Sequence, residues 1–182
     1  MELELKKETL QFYEFSTVST AVHEESTETI VPDYCPDIAR IIDSDGKVFL
    51  RSKDIQGDKA IVTGSVKVTV LFTPEGENGI RNLEFVLPFN TSLSNKEFES
   101  CQSLFVKAGI QSIETKSLNP RKIFTRVLLT VQLQGLRRCS AHFCSQIMSD
   151  DCLGIAQMAR DEELHLITSY AEKDFAFTDE IA

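Results

Sequence analysis

Three histidines, five cysteines and a close pair of aspartates are the side chains of this 182-residue sequence best suited to chemistry. A nucleophilic triad needs a Ser or Cys, a His and a carboxylate oriented together. His23, His142 and His165 stand in polar or strand-like contexts, with no nucleophile motif around a Ser or Cys. The eight glycines are scattered through turns and form no phosphate-binding loop. Cys139, His142, Cys144 and Cys152 could be imagined as a zinc set. Their C-x2-H-x-C-x7-C spacing lacks the paired clips that hold tetrahedral zinc. Cys139 and Cys144 read instead as small apolar residues of a strand. Asp33 and Asp37, four positions apart, could hold a cation. The favoured reading is structural: one caps a short helix and the other pairs with a base such as Arg40 or Arg121. The expectation is a protein that is not an enzyme, with no catalytic residue, no metal and no cofactor.

The composition agrees. Apolar residues make up 42% of the chain, enough for a core and against wholesale disorder. No apolar run approaches the roughly 18 residues of a membrane helix, so no membrane insertion is expected. Met1 to Phe15 carries four glutamates and no hydrophobic block, unlike a signal peptide. Without one, an odd number of cysteines implies reduced thiols. Charge is uneven. Residues 1–46 carry a net −8, residues 47–138 a net +6 and residues 139–182 a net −7. The central bases alternate with apolar residues, as in Val66-Lys67-Val68, so they read as solvated strand faces. No basic stretch is interleaved with aromatics as a stacking platform, and no nucleic-acid partner is expected. The acidic ends either lie across the basic centre or draw neighbouring copies together head to tail.

The elements follow from periodicity. Residues 8–22 are rich in β-branched and aromatic types and read as extended. In Val31-Pro32-Asp33-Tyr34-Cys35-Pro36-Asp37-Ile38-Ala39-Arg40-Ile41-Ile42, Pro36 suits a first helical turn. Ile38, Ile41 and Ile42 give an apolar stripe at i, i+3, i+4. These features predict one short helix near residues 36–43. From Lys47 the period becomes two. Val48–Arg51 is a strand, residues 54–58 a turn, and Lys59–Phe72 a long strand in which Gly64 marks a bulge. Residues 74–79 form a hairpin loop. Leu83, Phe85, Leu87 and Phe89 alternate, with Pro88 pointing to an edge. Asn90–Ser100 reads as a polar loop. Leu104–Ile113 is a strand, residues 117–121 a turn, and Ile123–Leu136 the longest strand. In the tail, Ile155, Met158, Ala159 and Glu162 fit a helical turn, and residues 162–169 a strand. The predicted fold is mainly β: an antiparallel β-sandwich or partly open barrel with one short helix.

Two short internal similarities share order and spacing. Glu8-Thr9-Leu10-Gln11-Phe12 resembles Glu162-Glu163-Leu164-His165-Leu166. Thr27-Glu28-Thr29-Ile30-Val31 resembles Thr178-Asp179-Glu180-Ile181-Ala182. The expected organisation is a β-rich module over 1–140, then an extension over 141–182 that holds the lead-in of a second repeat.

Three stretches carry a family resemblance. Val31–Ile42 resembles the opening motif of the SPOCS domain. Gly64-Ser65-Val66-Lys67-Val68-Thr69-Val70-Leu71-Phe72 with its hairpin resembles the same family, as does Ser117-Leu118-Asn119-Pro120-Arg121-Lys122-Ile123. The family was long catalogued as a domain of unknown function. It occurs in tandem in clostridial spore-envelope morphogenesis proteins resembling SipL, often before a LysM module. No LysM-like segment is found here, so that module's glycan binding does not carry over. The resemblance implies a non-catalytic interaction or scaffold module in spore coat or cortex assembly. Its partners would be other spore-envelope proteins or itself, as a homo-oligomer. It implies synthesis in the mother-cell cytoplasm and deposition at the forespore surface. Pro32, Asp33, Pro36, Asp37, Ile38, Arg40, Asn119 and Arg121 are expected to be structural motif residues. The alternative is a ligand-binding β-module for glycan or peptidoglycan. The absence of Trp and the core phase of most Phe weigh against it.

Overall fold

The computed structural model describes residues 4–148 and 163–171. The chain packs as two units, one of residues 1–15 and 137–182 and the other of residues 16–136. Seven antiparallel strands account for most of the described chain. They are β1 (Glu4–Phe15), β2 (Ser19–Ile30), β3 (Ile38–Gln56), β4 (Lys59–Pro74), β5 (Arg81–Ser94), β6 (Cys101–Asn119) and β7 (Lys122–Met148). β7 pairs with β1, β2 and β6. The other sheet has the order β3-β4-β5.

The larger unit is built by period-two alternation. Along β4, Val62, Val66, Val68, Val70 and Phe72 are fully buried, and along β7 so are Ile123, Val127, Leu129, Val131 and Leu133. Leu83, Leu87, Phe89 and Leu93 of β5 complete the same core. Each such side chain contributes about 1.5–3 kcal/mol relative to staying in water. The two sheets are not closed into a barrel. Their apolar faces share one core, the arrangement of a β-sandwich. Thr125 sits in that inner row at no exposure, and its hydroxyl is matched by Thr115 Oγ1 at 3.2 Å. β3 and β4 join through the two-residue turn Gly57-Asp58. Gly57 has φ 64°, which the twist of a tight hairpin requires.

Residues 38–43 are strand and not the expected helix. The reason lies in the register of β3 against β4. It shifts between Ile38 and Arg40 and again between Ile41 and Asp43, so Ala39 and Ile42 are extra residues. Each β-bulge adds one position to a period of two. The one at Ala39 brings Ile38 and Ile41 to the same side at a spacing of three, which mimics helical periodicity, and the one at Ile42 repeats that spacing from Ile41 to Ser44. Ile38 is buried and Ile41 packs against the core, whereas Ile42 is 47% exposed.

Other boundaries also move. β5 runs on through Leu93 into the stretch expected as a polar loop, with Thr91 and Leu93 buried. A 3₁₀ turn follows at Lys96–Ser100 and buries Phe98 completely. Pro88 does lie on an edge strand, since β5 ends its sheet order. The bulge expected at Gly64 is real, but its extra residue, Arg51, belongs to the facing strand. Residues 163–169 form no regular strand. They make an isolated bridge from Ile167 to Tyr13. The helical turn expected over 155–162 lies outside the described residues.

Candidate functional site

The densest convergence of charge in the larger unit gathers on Arg121. The Ser117-Leu118-Asn119-Pro120-Arg121 sequence brings β6 back into β7. Asn119 Oδ1 accepts the Arg121 backbone N–H at 2.9 Å, and Ser117 Oγ donates to the Asn119 carbonyl at 2.9 Å. These are the local side-chain bonds that turn-forming residues make. The turn aims the guanidinium at the segment between β2 and β3. Nη1 donates to the Cys35 carbonyl at 2.8 Å and to Asp37 Oδ1 at 3.1 Å. Nη2 donates to the Val31 carbonyl at 3.0 Å and to Asp33 Oδ1 at 3.0 Å. Backbone bonds complete the junction. Val31 N–H meets the Arg121 carbonyl at 2.9 Å, and Ile38 N–H meets that of Pro120 at 2.8 Å.

The expected motif residues mostly meet here. The Pro32 carbonyl closes a turn by accepting Cys35 N–H at 2.9 Å, and Pro36 is half-buried beside it. Asp33 and Asp37 both reach Arg121, so neither caps a helix. Asn119 shapes the turn and Ile38 anchors it in the core. Arg40 stands apart, exposed on β3, with its carbonyl accepting Thr73 Oγ1 at 3.3 Å. A guanidinium between two carboxylates fills the place a cation would need, and both its terminal nitrogens are bonded to the chain itself. The arrangement is a fastener holding the β2–β3 connection to the β6–β7 turn. Arg is suited to it because a planar fork of donors satisfies several acceptors at once.

A second polar junction escaped the sequence reading. Asn95 Oδ1 accepts Glu97 N–H at 3.0 Å at the head of the 3₁₀ turn, and Asn95 Nδ2 reaches Ser19 Oγ at 3.0 Å. Glu97 Oε2 accepts Thr17 N–H at 2.8 Å. Ser16, only 5% exposed, receives the Gly135 N–H on its Oγ at 2.7 Å and donates its own N–H to the Gly135 carbonyl at 2.8 Å. The Asn95-Lys96-Glu97-Phe98 sequence carried a capping signal. Nothing near Ser16 marked it.

The histidines are dispersed. His23 Nε2 lies 2.8 Å from Glu25 Oε1, half-buried on β2, with Phe89 beside it. His142 Nδ1 meets Thr9 Oγ1 at 2.9 Å, and exposed His165 lies 4.0 Å from Glu163. Cys139 and His142 are three apart on β7, and alternation turns them to opposite faces. Cys139 Sγ sits 3.3 Å from Glu14 Oε2, which also accepts Arg137 Nη2 at 2.8 Å. Partial burial, with that carboxylate beside it, pushes the Cys139 thiol up and away from the reactive thiolate. The Arg137 hydrogen bond and the thiol hold Glu14 below the usual glutamate value. Cys152 lies outside the described residues. Among the described residues, no group of three or more His, Cys, Asp or Glu is arranged to hold a metal. No described helix is long and apolar enough to cross a membrane.

No curated protein and no solved structure matches the chain. A family model does, that of SipL, SPOCS domain, over residues 37–118. The match covers Asp37, Ile38 and Arg40 and all of β3 to β5. It stops just short of Asn119 and Arg121, which the fold returns to its starting point. Over residues 37–118 this chain is therefore similar to the SPOCS domain of SipL, the family its sequence motifs resemble.

Proposed function

We propose that the chain is a non-catalytic protein–protein interaction and scaffold module in spore coat or cortex assembly, made in the mother cell and deposited at the forespore surface. The observation that carries this is the use of the Arg121 cluster. The larger unit's strongest polar convergence holds its own backbone and presents no open reactive geometry. What the larger unit offers outward is strand edge and scattered apolar side chain, such as Val22 at 60% and Val86 at 62% exposure. Strand edges are templates for pairing with another chain. Other envelope proteins or further copies of the module fit as partners.

A second reading, a glycan-binding β-module, draws on Tyr34, an aromatic 86% exposed beside the Arg121 cluster. A peptidoglycan pull-down of the chain separates the two. The scaffold reading expects the protein in the unbound fraction. Strong retention, lost in Tyr34→Ala, would establish the glycan reading instead.

A further inference from the structure

β1 ends the strand order of its sheet, which leaves an edge that another strand can extend. At Tyr13 that backbone is already taken. Tyr13 N–H donates to the Ile167 carbonyl at 2.8 Å, and the two residues form an antiparallel bridge. The Tyr13 and Tyr170 rings meet edge to face at 5.1 Å.

The positions joined are not arbitrary. Tyr13 and Ile167 are separated by 154 residues, as are Glu8 and Glu162, and Leu10 and Leu164. The bridge therefore falls at the offset of the internal similarity, one position past its last matched pair, Phe12 and Leu166. Antiparallel strands run in opposite senses, so two like strands face residue to like residue at one point only. That point lies on the twofold axis relating them, the geometry of an isologous contact.

We propose that the β1 edge at Tyr13 is a joint between modules. It takes the leading segment of a second module of the same kind, antiparallel about a twofold at Tyr13, and residues 163–171, joined there by one bridge, are such a leading segment. The idea rests on the interaction reading above and names the partner as a like module. Its chemistry is main-chain hydrogen bonding, with an aromatic pair fixing the register.

The test uses the full chain with benzoylphenylalanine, a photo-crosslinking residue, in place of Tyr13. Irradiation and peptide mapping should place the adduct within residues 163–171 of the same molecule. In a second variant the tail takes the β1 residues through Glu163→Thr, His165→Gln, Leu166→Phe and Ile167→Tyr. If 163–171 is a β1 counterpart, the adduct is retained at position 167. An adduct elsewhere in the chain, an adduct on another copy alone, or its loss in the β1-like variant overturns the proposal. Peptidoglycan retention would overturn the scaffold reading and leave this adduct unmoved, so the two failures are distinguishable.

Discussion

Arg121 reaches Asp37 across 84 positions of sequence, Nη1 to Oδ1 at 3.1 Å, while the same nitrogen holds the Cys35 carbonyl. The bond links the residue that opens the family match to a turn just past its close. Arg121→Ala strips donors from two carbonyls and two carboxylates at once. A half-buried acceptor left without a partner costs about 1–3 kcal/mol, so the loss should be near the top of that range. Asp37→Ala and Arg121→Ala should be non-additive by about 0.5 kcal/mol or more in chemical denaturation. Asp33 is fully exposed, so its coupling to Arg121 should be weaker. Additive losses at Asp37 would show that the fastener is not one network.

Ile38 and Ile42 separate the bulged strand from a helical stripe. Ile38 is buried and Ile42 half-exposed, although a helix would bury both. Ile38→Asp should abolish cooperative unfolding, since it removes a core aliphatic and buries a charge. Ile42→Asp should stay within about 0.5 kcal/mol of the native protein, as surface changes do. Equal damage at both sites would contradict the bulged register.

These residues also show how far the sequence could be read. Strands β4, β5 and β7 were legible because Val66, Val68 and Val70, or Ile123 to Leu133, alternate without interruption. The opening of β3 was not, because two bulges convert spacing of two into spacing of three. The 90–100 stretch misled for a different reason: Thr91 and Leu93 keep the phase, but polar neighbours hide it. At the junction, the types of Asp33, Asp37 and Arg121 were legible, while their meeting needed the β6–β7 turn to be placed. Ser16 was invisible because a buried serine bonded to distant backbone leaves no local pattern.

Gly64 faces the bulge of β3. A Cβ there would lie 2.5 Å from the Phe49 carbonyl oxygen and 2.6 Å from the Phe89 ring. The oxygen belongs to the β3 backbone and cannot swing aside. Gly64→Ala should therefore cost about 1–3 kcal/mol, as overpacking does, despite alanine's better strand propensity. A gain in melting temperature would show that β3 and β5 can separate locally.

Glu84 gives a pH signature. The Lys67 ammonium, 2.8 Å away, holds its carboxyl below the ordinary glutamate value of 4.5. A depressed folded value means the pair stabilises above the unfolded-state pKa and the contribution fades as pH falls through the folded one. Glu84→Gln should therefore lower the melting temperature slightly near pH 7, with the gap closing as acid protonates the native carboxyl. Added salt should narrow the same gap, because the pair is half-exposed. A gap that widened in acid would reverse the sign and contradict the pairing.

Proximity labelling in sporulating cells tests the scaffold claim most directly. With the labelling enzyme fused to this chain, spore-envelope proteins should dominate the biotinylated set. A neighbourhood of metabolic enzymes would contradict the account.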